Sequence, residues 1–503
     1  MDKHSPEKLS YIVISQIKNS GWFLGLVILV YLLIAYFSIG FHHYDEHYQI
    51  LEFAHYKLGL TPRDHLAWEF EARIRPTIQP TIALGIFKFL TFCGIRDRFI
   101  WALVLRVLSA LLAIVTLKKF IDSILSEILP ETVPLFIFLS YFLWFLPYIN
   151  VRYSSENWSG LFFIMAITLI RSPPNKSALF KNLLIGSLLG LSTLFRYQAA
   201  ILVVASLFWL YFIAKMPIKN IGLILVALFS VLLLGVGLDS WFYGEWVITM
   251  VNYFKSNIVQ NVASTYGTLP WYQYSLYIVT KPITCIGYLI LLSLVYLIYI
   301  DSKHILVWAI LPFLIVHSAI PHKELRFLFE LANFTPAILL LAWNKIPHIN
   351  IIKKTASVWA LAFLLVLNTT ALFAASFKGA GDAKLVIADY IQHKYAGQRV
   401  SLMLSPNANP YDEIPPKNDF YRNPDVLIHP IEIYDDHVHN KDTTSVKLLA
   451  ICNSDTTNEA IRSFLAHSKL VTLKKSMPIF SECALNLYDK KLARKIITLY
   501  KFK

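Results

Sequence analysis

The sequence predicts an all-α polytopic membrane protein that carries a small α/β domain at its C-terminal end. Three observations lead there. Of the 503 residues, 56% are hydrophobic and only 16% charged, whereas a soluble chain carries about a quarter charged residues. Apolar segments recur near 22–41, 79–94, 98–117, 132–149, 157–170, 182–195, 198–214, 220–238, 275–300, 304–320, 327–343 and 355–376. Beyond Phe377 the apolar runs shorten, and turn-forming stretches such as Ser405-Pro406-Asn407-Ala408-Asn409-Pro410 appear between them, as in a small globular domain.

Lys3, Lys8 and Lys18 precede the first apolar run, Trp22–Phe41. That run is long enough to span, and no small-residue cleavage site follows it, so it reads as a retained first helix with its N-terminus inside. If all twelve segments then cross, most later basic loops fall outside. The weakest segment is 79–94, which is short, opens at Pro80 and contains Lys88. If it lies on the outer surface or dips in without crossing, Lys118-Lys119, Arg171/Lys176/Lys181, Lys215/Lys219, Lys303 and Lys345/Lys353/Lys354 all fall inside, as the positive-inside rule requires. The expectation is about eleven transmembrane helices plus outer-face juxtamembrane helices. Residues 1–376 would form the membrane domain, with a first outer loop at 41–80 and a long one at 239–274, and residues 377–503 an outer α/β domain. In that domain Val400–Leu404, Val426–Ile433, Lys447–Cys452 and Leu470–Leu473 read as strands and Asn458–His467 as a helix. The net charge of +14 is scattered between apolar runs, which excludes a nucleic-acid-binding tract. Four cysteines lack metal-ligand spacing; only Cys452 and Cys483 share a polar region, which leaves one disulfide open in an oxidising compartment.

Polar clusters converge on the outer side. The first loop opens His42-His43-Tyr44-Asp45-Glu46-His47-Tyr48-Gln49, and adjacent carboxylates next to lipid are costly unless solvated or functional. Further clusters are Asn150–Asn157, Arg196-Tyr197-Gln198, the aromatic-rich loop 239–274 and His322-Lys323-Glu324-Leu325-Arg326. A membrane enzyme acting on a charged lipid needs a carboxylate to take a proton, cations to hold a departing phosphate, and aromatic surfaces for sugar or prenyl chain. Asp45 or Glu46 suits the first need; Lys323, Arg326, His322, Arg152 and Arg196 suit the second. The plainer alternatives are a solvated loop, single arginines marking helix ends, and an interfacial aromatic belt.

The motifs Asp45-Glu46-x-x-Gln49, Glu52, Trp68-Glu69, Asp239-Ser240-x-x-Tyr243-Gly244-x-Trp246, Asn252-x-Phe254, Asn257, Tyr266-Gly267-Thr268-x-Pro270-Trp271-Tyr272-x-Tyr274 and His322-Lys323-Glu324-x-Arg326-Phe327 occur in this order. Together, from about Asp45 to Glu330, they resemble glycosyltransferase family 22, which contains the GPI-anchor mannosyltransferases and the lumenal mannosyltransferases of dolichol-linked oligosaccharide assembly. The resemblance implies a GT-C fold and inverting transfer of mannose from a polyprenyl- or dolichyl-phosphate mannose donor to a hydroxyl of a glycolipid or glycan acceptor. It implies Asp45 as general base with Glu46 beside it, and a donor-phosphate region of His322, Lys323, Arg326, Arg152 and Arg196. It also implies substrate contacts from Gln49, Glu69, Asp239, Tyr243, Tyr266, Trp271, Tyr274 and Glu324. No cofactor is indicated, although Asp45, Glu46 and the nearby histidines leave weak binding of a divalent ion open. Tyr44 stands where the family often has Pro, and Leu325 where it often has Glu, departures that bear on the acceptor. Competing readings are a transporter or flippase of a lipid-linked sugar, a non-catalytic scaffold, and the same fold transferring another hexose or pentose. The expected location is the bacterial inner membrane, with the endoplasmic reticulum as alternative and the site on the periplasmic or lumenal side. The sequons at Asn157 and Asn333 fall at or inside spans.

Overall fold

A computed structural model describes residues 21–173, 178–346, 355–411, 416–431 and 445–502. Lys3, Lys8, Lys18, Lys176, Lys353 and Lys354, used above to orient the chain, lie outside the described residues. All twelve apolar segments are helical. The protein is a multi-pass membrane protein; the helices that are long and apolar enough to cross are fewer, among the described residues, than the eleven expected. Among the described residues four helices are long and apolar enough to cross: Arg98–Glu127, Ala178–Phe195, Ile218–Tyr243 and Val358–Ser376. There are up to six if each bent pair counts as one span. The shortfall comes from breaks and short helices. The 284–300 and 305–319 helices meet at 118°, and the 325–332 and 335–344 helices at 62°. The weak segment 79–94 is the helix Ile78–Phe92, 15 residues long, hence about 22 Å against a hydrocarbon core of about 30 Å.

A further break is mended by a single asparagine. The segment 132–149 splits into Val133–Phe142 and Phe145–Asn150. Asn368, on the Thr355–Ser376 helix, donates through Nδ2 to the Phe142 carbonyl at 2.8 Å and accepts from the Trp144 N–H at 2.9 Å. Backbone left unsatisfied in hydrocarbon costs several kcal/mol, so a broken helix persists only where such partners exist. Asn333, at the 62° bend, exchanges amide hydrogen bonds of 2.8 and 3.0 Å with Asn150. Asn157 and Asn333 are both buried, which closes both sequons to modification.

The described chain forms two compact units. The first comprises 21–32, Glu69–Ile82 and Arg106–Leu372; the second comprises Leu33–Trp68, Ala83–Leu105 and Phe373–Lys503. In the second lies a five-stranded sheet of β1 (Val400–Leu404), β2 (Val426–Pro430), β3 (Val446–Cys452), β4 (Leu470–Lys475) and β5 (Ile497–Phe502), in the order β2-β1-β3-β5-β4. β1 pairs in parallel with β2 and β3 and is buried along its whole length, as its continuous apolar run requires; β5 pairs antiparallel with β3 and β4. Residues 432 and 433 of the expected second strand lie outside the described residues. β5 was not expected. The helix Glu459–His467 covers one face through Ile461 and Phe464, packed with Met403, Leu449 and Ile451. All four cysteines are free thiols: Cys452 is buried in β3 and Cys483 exposed, so the open disulfide does not form.

Candidate active site

In the first unit the cations expected from sequence form a buried ion-pair network. The helix Ser155–Arg171 starts at Ser154, whose hydroxyl caps the Asn157 N–H, so Glu156 lies in its first turn, where an acid is favoured. Glu156 Oε1 accepts from Arg326 Nη1 at 2.8 Å and lies 3.1 Å from Arg196 Nη1. Arg326 Nε also pairs with Glu324, and Arg196 Nε lies 3.9 Å from Glu330. Both guanidinium groups sit over the Phe327 ring, 5.0 and 5.2 Å from its centroid. Glu156, Arg196, Arg326 and Glu330 are all at least nine-tenths buried. Burial of opposed charges is costly, and their mutual pairing offsets that cost without itself amounting to a gain in stability. Its closeness depends on Gly160, on the same helix face as Glu156: a Cβ there would lie 2.8 Å from the Glu330 carbonyl oxygen.

The motif at 322–326 is clipped to the aromatic loop. His322 Nδ1 lies 2.9 Å from the Gly267 carbonyl and Nε2 lies 2.7 Å from Glu324 Oε1; the Leu269 N–H donates to the Pro321 carbonyl at 3.0 Å. Lys323 Nζ donates to the carbonyls of Ile320 at 2.6 Å and Leu269 at 3.0 Å. Gly267 sits at φ +102°, a conformation open to glycine and strained for other residues. Lys323, expected as a phosphate ligand, thus also clasps the backbone of the aromatic loop. Tyr266 and Trp271 are exposed, while Tyr274 is buried with its ring 6.3 Å from His317. Arg152 is buried, its guanidinium 5.6 Å from the Tyr148 centroid.

Asp239, Tyr243 and Glu69 lie on the seam between 69–77 and 239–252. Asp239 Oδ1 accepts from the Thr77 N–H and hydroxyl, both at 2.7 Å, and Oδ2 from the Thr249 hydroxyl. Tyr243 donates to the Arg75 carbonyl at 3.0 Å, and Glu69 lies 3.6 Å from Arg75. Oδ1 thus joins the two segments, and Oδ2 ties Asp239 to Thr249 within its own.

In the second unit the Asp-Glu pair divides its roles. Tyr44–Glu46 is a short helix whose N-cap is His43. Glu46 is buried, and its Oε2 accepts from the His42 N–H at 3.1 Å, closing the turn. Asp45 keeps partial exposure, with His43 Nδ1 3.4 Å from its Oδ1. Gln49 is buried on the following turn. Glu52, fully buried, accepts from the Phe420 N–H at 2.8 Å and the Thr61 hydroxyl at 2.7 Å, and lies 2.9 Å from His47 Nε2. Thr61 gives its one proton to Glu52, so it accepts from His55 Nδ1–H at 2.7 Å. Burial and the nearby Arg98 charge push the His55 imidazole down to about 3. Among the described residues no three His, Cys, Asp or Glu side chains converge to hold a metal ion.

Residues 22–404 match the model of the Alg9-like mannosyltransferase family. The chain belongs to that family. Membership makes it a glycosyltransferase, and every site residue named above except Phe420 lies within the matched stretch. The chain is 27% identical over 391 residues to GPI mannosyltransferase 3 of Yarrowia lipolytica, covering 73% of this chain and 69% of that protein. It is 27% identical over 347 residues to GPI alpha-1,2-mannosyltransferase 3 of Homo sapiens, covering 67% and 58%. These relatives are eukaryotic and lend the expected bacterial membrane no support. Among solved structures, ArnT from Cupriavidus metallidurans bound to undecaprenyl phosphate shares the fold, with a TM-score of 0.52 at 9% identity over 96% of this chain and 98% of that one. That likeness agrees with the GT-C architecture.

Two acids of the buried ion-pair network, Glu156 and Glu330, were not singled out from sequence. Glu156 stood inside the polar cluster Asn150–Asn157 but was read as one of many polar residues. Glu330 was hidden in an apolar run. An intramembrane carboxylate is itself a signal that asks for a cationic partner.

Proposed function

We propose that this protein is an inverting α-mannosyltransferase. It takes mannose from polyprenyl- or dolichyl-phosphate mannose and transfers it to a hydroxyl of a mannose-containing glycolipid on the periplasmic or lumenal face. The observation that carries the reading is the buried Arg196 and Arg326 pair, two guanidinium groups on one carboxylate oxygen, in a chain of the Alg9-like family. Arginine pairs suit phosphate because their planar forks offer matched donors. The acceptor oxygen attacks the anomeric carbon as the bond from that carbon to the phosphate oxygen breaks. Asp45 takes the acceptor proton, and the negative charge departs on the lipid phosphate, favoured by Arg196 and Arg326. Asp45 is preferred to Glu46 as base because Glu46 is engaged with the His42 N–H. The GPI mannosyltransferases among its relatives support an α-1,2 linkage to a GPI-like glycan. In this reading residues 1–376 form the catalytic membrane domain and 377–503 an outer domain that helps select the acceptor. His322 and Glu324 orient Arg326, Arg152 adds positive charge to the same region, and Gln49, Tyr266, Trp271 and Tyr274 contact substrate.

The test uses purified protein in liposomes with sugar-labelled polyprenyl-phosphate mannose and mannose-terminated glycolipid acceptors. Transfer by the wild type and a loss of about 10²–10⁴-fold in folded Asp45→Asn is the expected result. Transfer only from another polyprenyl-phosphate sugar would overturn the donor. Equal turnover by Asp45→Asn would remove Asp45 as base.

A further inference from the structure

We propose that Glu156 is the positioning residue of the lipid-phosphate site, its carboxylate holding Arg196 and Arg326 side by side as a two-guanidinium clamp. The inference rests on the phosphate-bearing donor proposed above and concerns only the first compact unit.

Glu156 Oε1 lies 2.8 Å from Arg326 Nη1 and 3.1 Å from Arg196 Nη1, so these two nitrogens are within about 6 Å of each other. Like charges at that distance and depth repel, and a shared counter-charge is what keeps them together. The second oxygen is fixed as well: Ser155 Oγ donates to Glu156 Oε2 at 3.2 Å and accepts from Arg196 Nη1 at 3.3 Å. Phe327 sets the planes of both guanidinium groups from one ring. Glu324 pairs with Arg326 Nε, and Glu330 lies 3.9 Å from Arg196 Nε. The carboxylates therefore hold these arginines together, and the clamp's spacing is set before any lipid arrives. Such pre-arrangement lowers the ordering cost of binding. Gly160 admits the 155–171 helix closely enough for Glu156 to reach both partners.

An isosteric amide at 156 keeps the volume but removes the counter-charge, leaving two arginines to repel. The full chain in nanodiscs would be titrated with polyprenyl phosphate, the leaving group itself, by calorimetry. Donor KM and kcat would be measured in parallel for wild type, Glu156→Gln and Glu156→Asp. We expect Glu156→Gln to weaken polyprenyl phosphate binding and raise donor KM about tenfold or more, with kcat lowered as well because the same arginines favour the departing phosphate, and with an unaltered melting profile. Glu156→Asp, which retains the charge with shorter reach, should recover part of the loss; general structural damage would not give that recovery. Unchanged affinity in Glu156→Gln overturns the inference. Tighter binding also overturns it, by showing that the carboxylate competes with phosphate for the arginines. If Glu156→Gln does not fold, Ser155→Ala removes the brace on the second oxygen, and the same KM effect, smaller, is expected; wild-type behaviour there counts against the clamp. Wild-type protein that binds no polyprenyl phosphate refutes the donor class itself. Binding by the wild type with no change in the variants refutes only the role of Glu156.

Discussion

Gly160→Ala sets two effects of opposite sign against each other. In an unobstructed helix, alanine in place of glycine adds about 1 kcal/mol of stability. Here the new Cβ would meet the Glu330 carbonyl oxygen at 2.8 Å and Cα at 2.9 Å, both backbone atoms that cannot swing aside. Ordinary contact begins near 3.4 Å, so the helix must retreat by about 0.6 Å. Applied to Glu156 one turn away, that retreat stretches its 2.8 Å bond to Arg326 Nη1 to about 3.4 Å, at the edge of hydrogen bonding. Overpacking costs about 1–3 kcal/mol and a weakened bond to a charged group about 1.5–3. The sum is net destabilisation by about 1.5–5 kcal/mol with a raised donor KM. Thermal unfolding in nanodiscs and donor titration read both. A melting temperature equal to or above wild type, with unchanged KM, would refute the close approach of the 155–171 helix to Glu330.

Three further outcomes follow from the site. His55 is held neutral in the fold at about 3 against about 6.5 when unfolded; because its folded value is depressed, stability is full above about 6.5 and falls as pH drops from there towards 3, by up to about 1.4 kcal/mol per unit. His55→Gln should flatten that part of the profile, and parallel acid loss in both proteins would contradict it. Glu52→Gln places an amide NH₂ against either the Phe420 N–H or the Thr61 hydroxyl, and an unmatched buried donor should lower stability by about 1–3 kcal/mol in thermal unfolding. Lys323→Met frees the carbonyls of Ile320 and Leu269; limited proteolysis should cut the 262–272 stretch faster than in wild type, and an unchanged rate would count against the clasp.

Much of the fold was legible because a long apolar run has few options in lipid other than a helix. The places where it failed are polar residues acting at a distance. Asn368 satisfies the backbone at one helix break, and Asn150 and Asn333 pair through their amides, yet one polar residue in an apolar run carries no periodic signature, so the breaks were not foreseen. The charged motif at 322–326 stood out, but its partner Glu156 is 170 residues from Arg326, and sequence order gives no hint of that pairing. By residue type alone Asp45 and Glu46 read as equivalents, separated only by the family resemblance; the turn in which Glu46 accepts from the His42 N–H was not legible. β5, Ile497–Phe502, had a usable signal in its β-branched and aromatic content but stood too near the chain end to be paired without the sheet.

The bond from the Phe420 N–H to Glu52 has a consequence for biosynthesis. Its partners are 368 residues apart, so at about 5–20 residues per second the ribosome makes Phe420 roughly 20–70 s after Glu52. For that interval the carboxylate must stay hydrated or chaperoned beside the first helix while all the following membrane segments are inserted. Maturation of the Asp45 loop is thereby tied to the last fifth of translation. A prematurely terminated chain would reach the membrane with its helices in place and its proposed base unsupported.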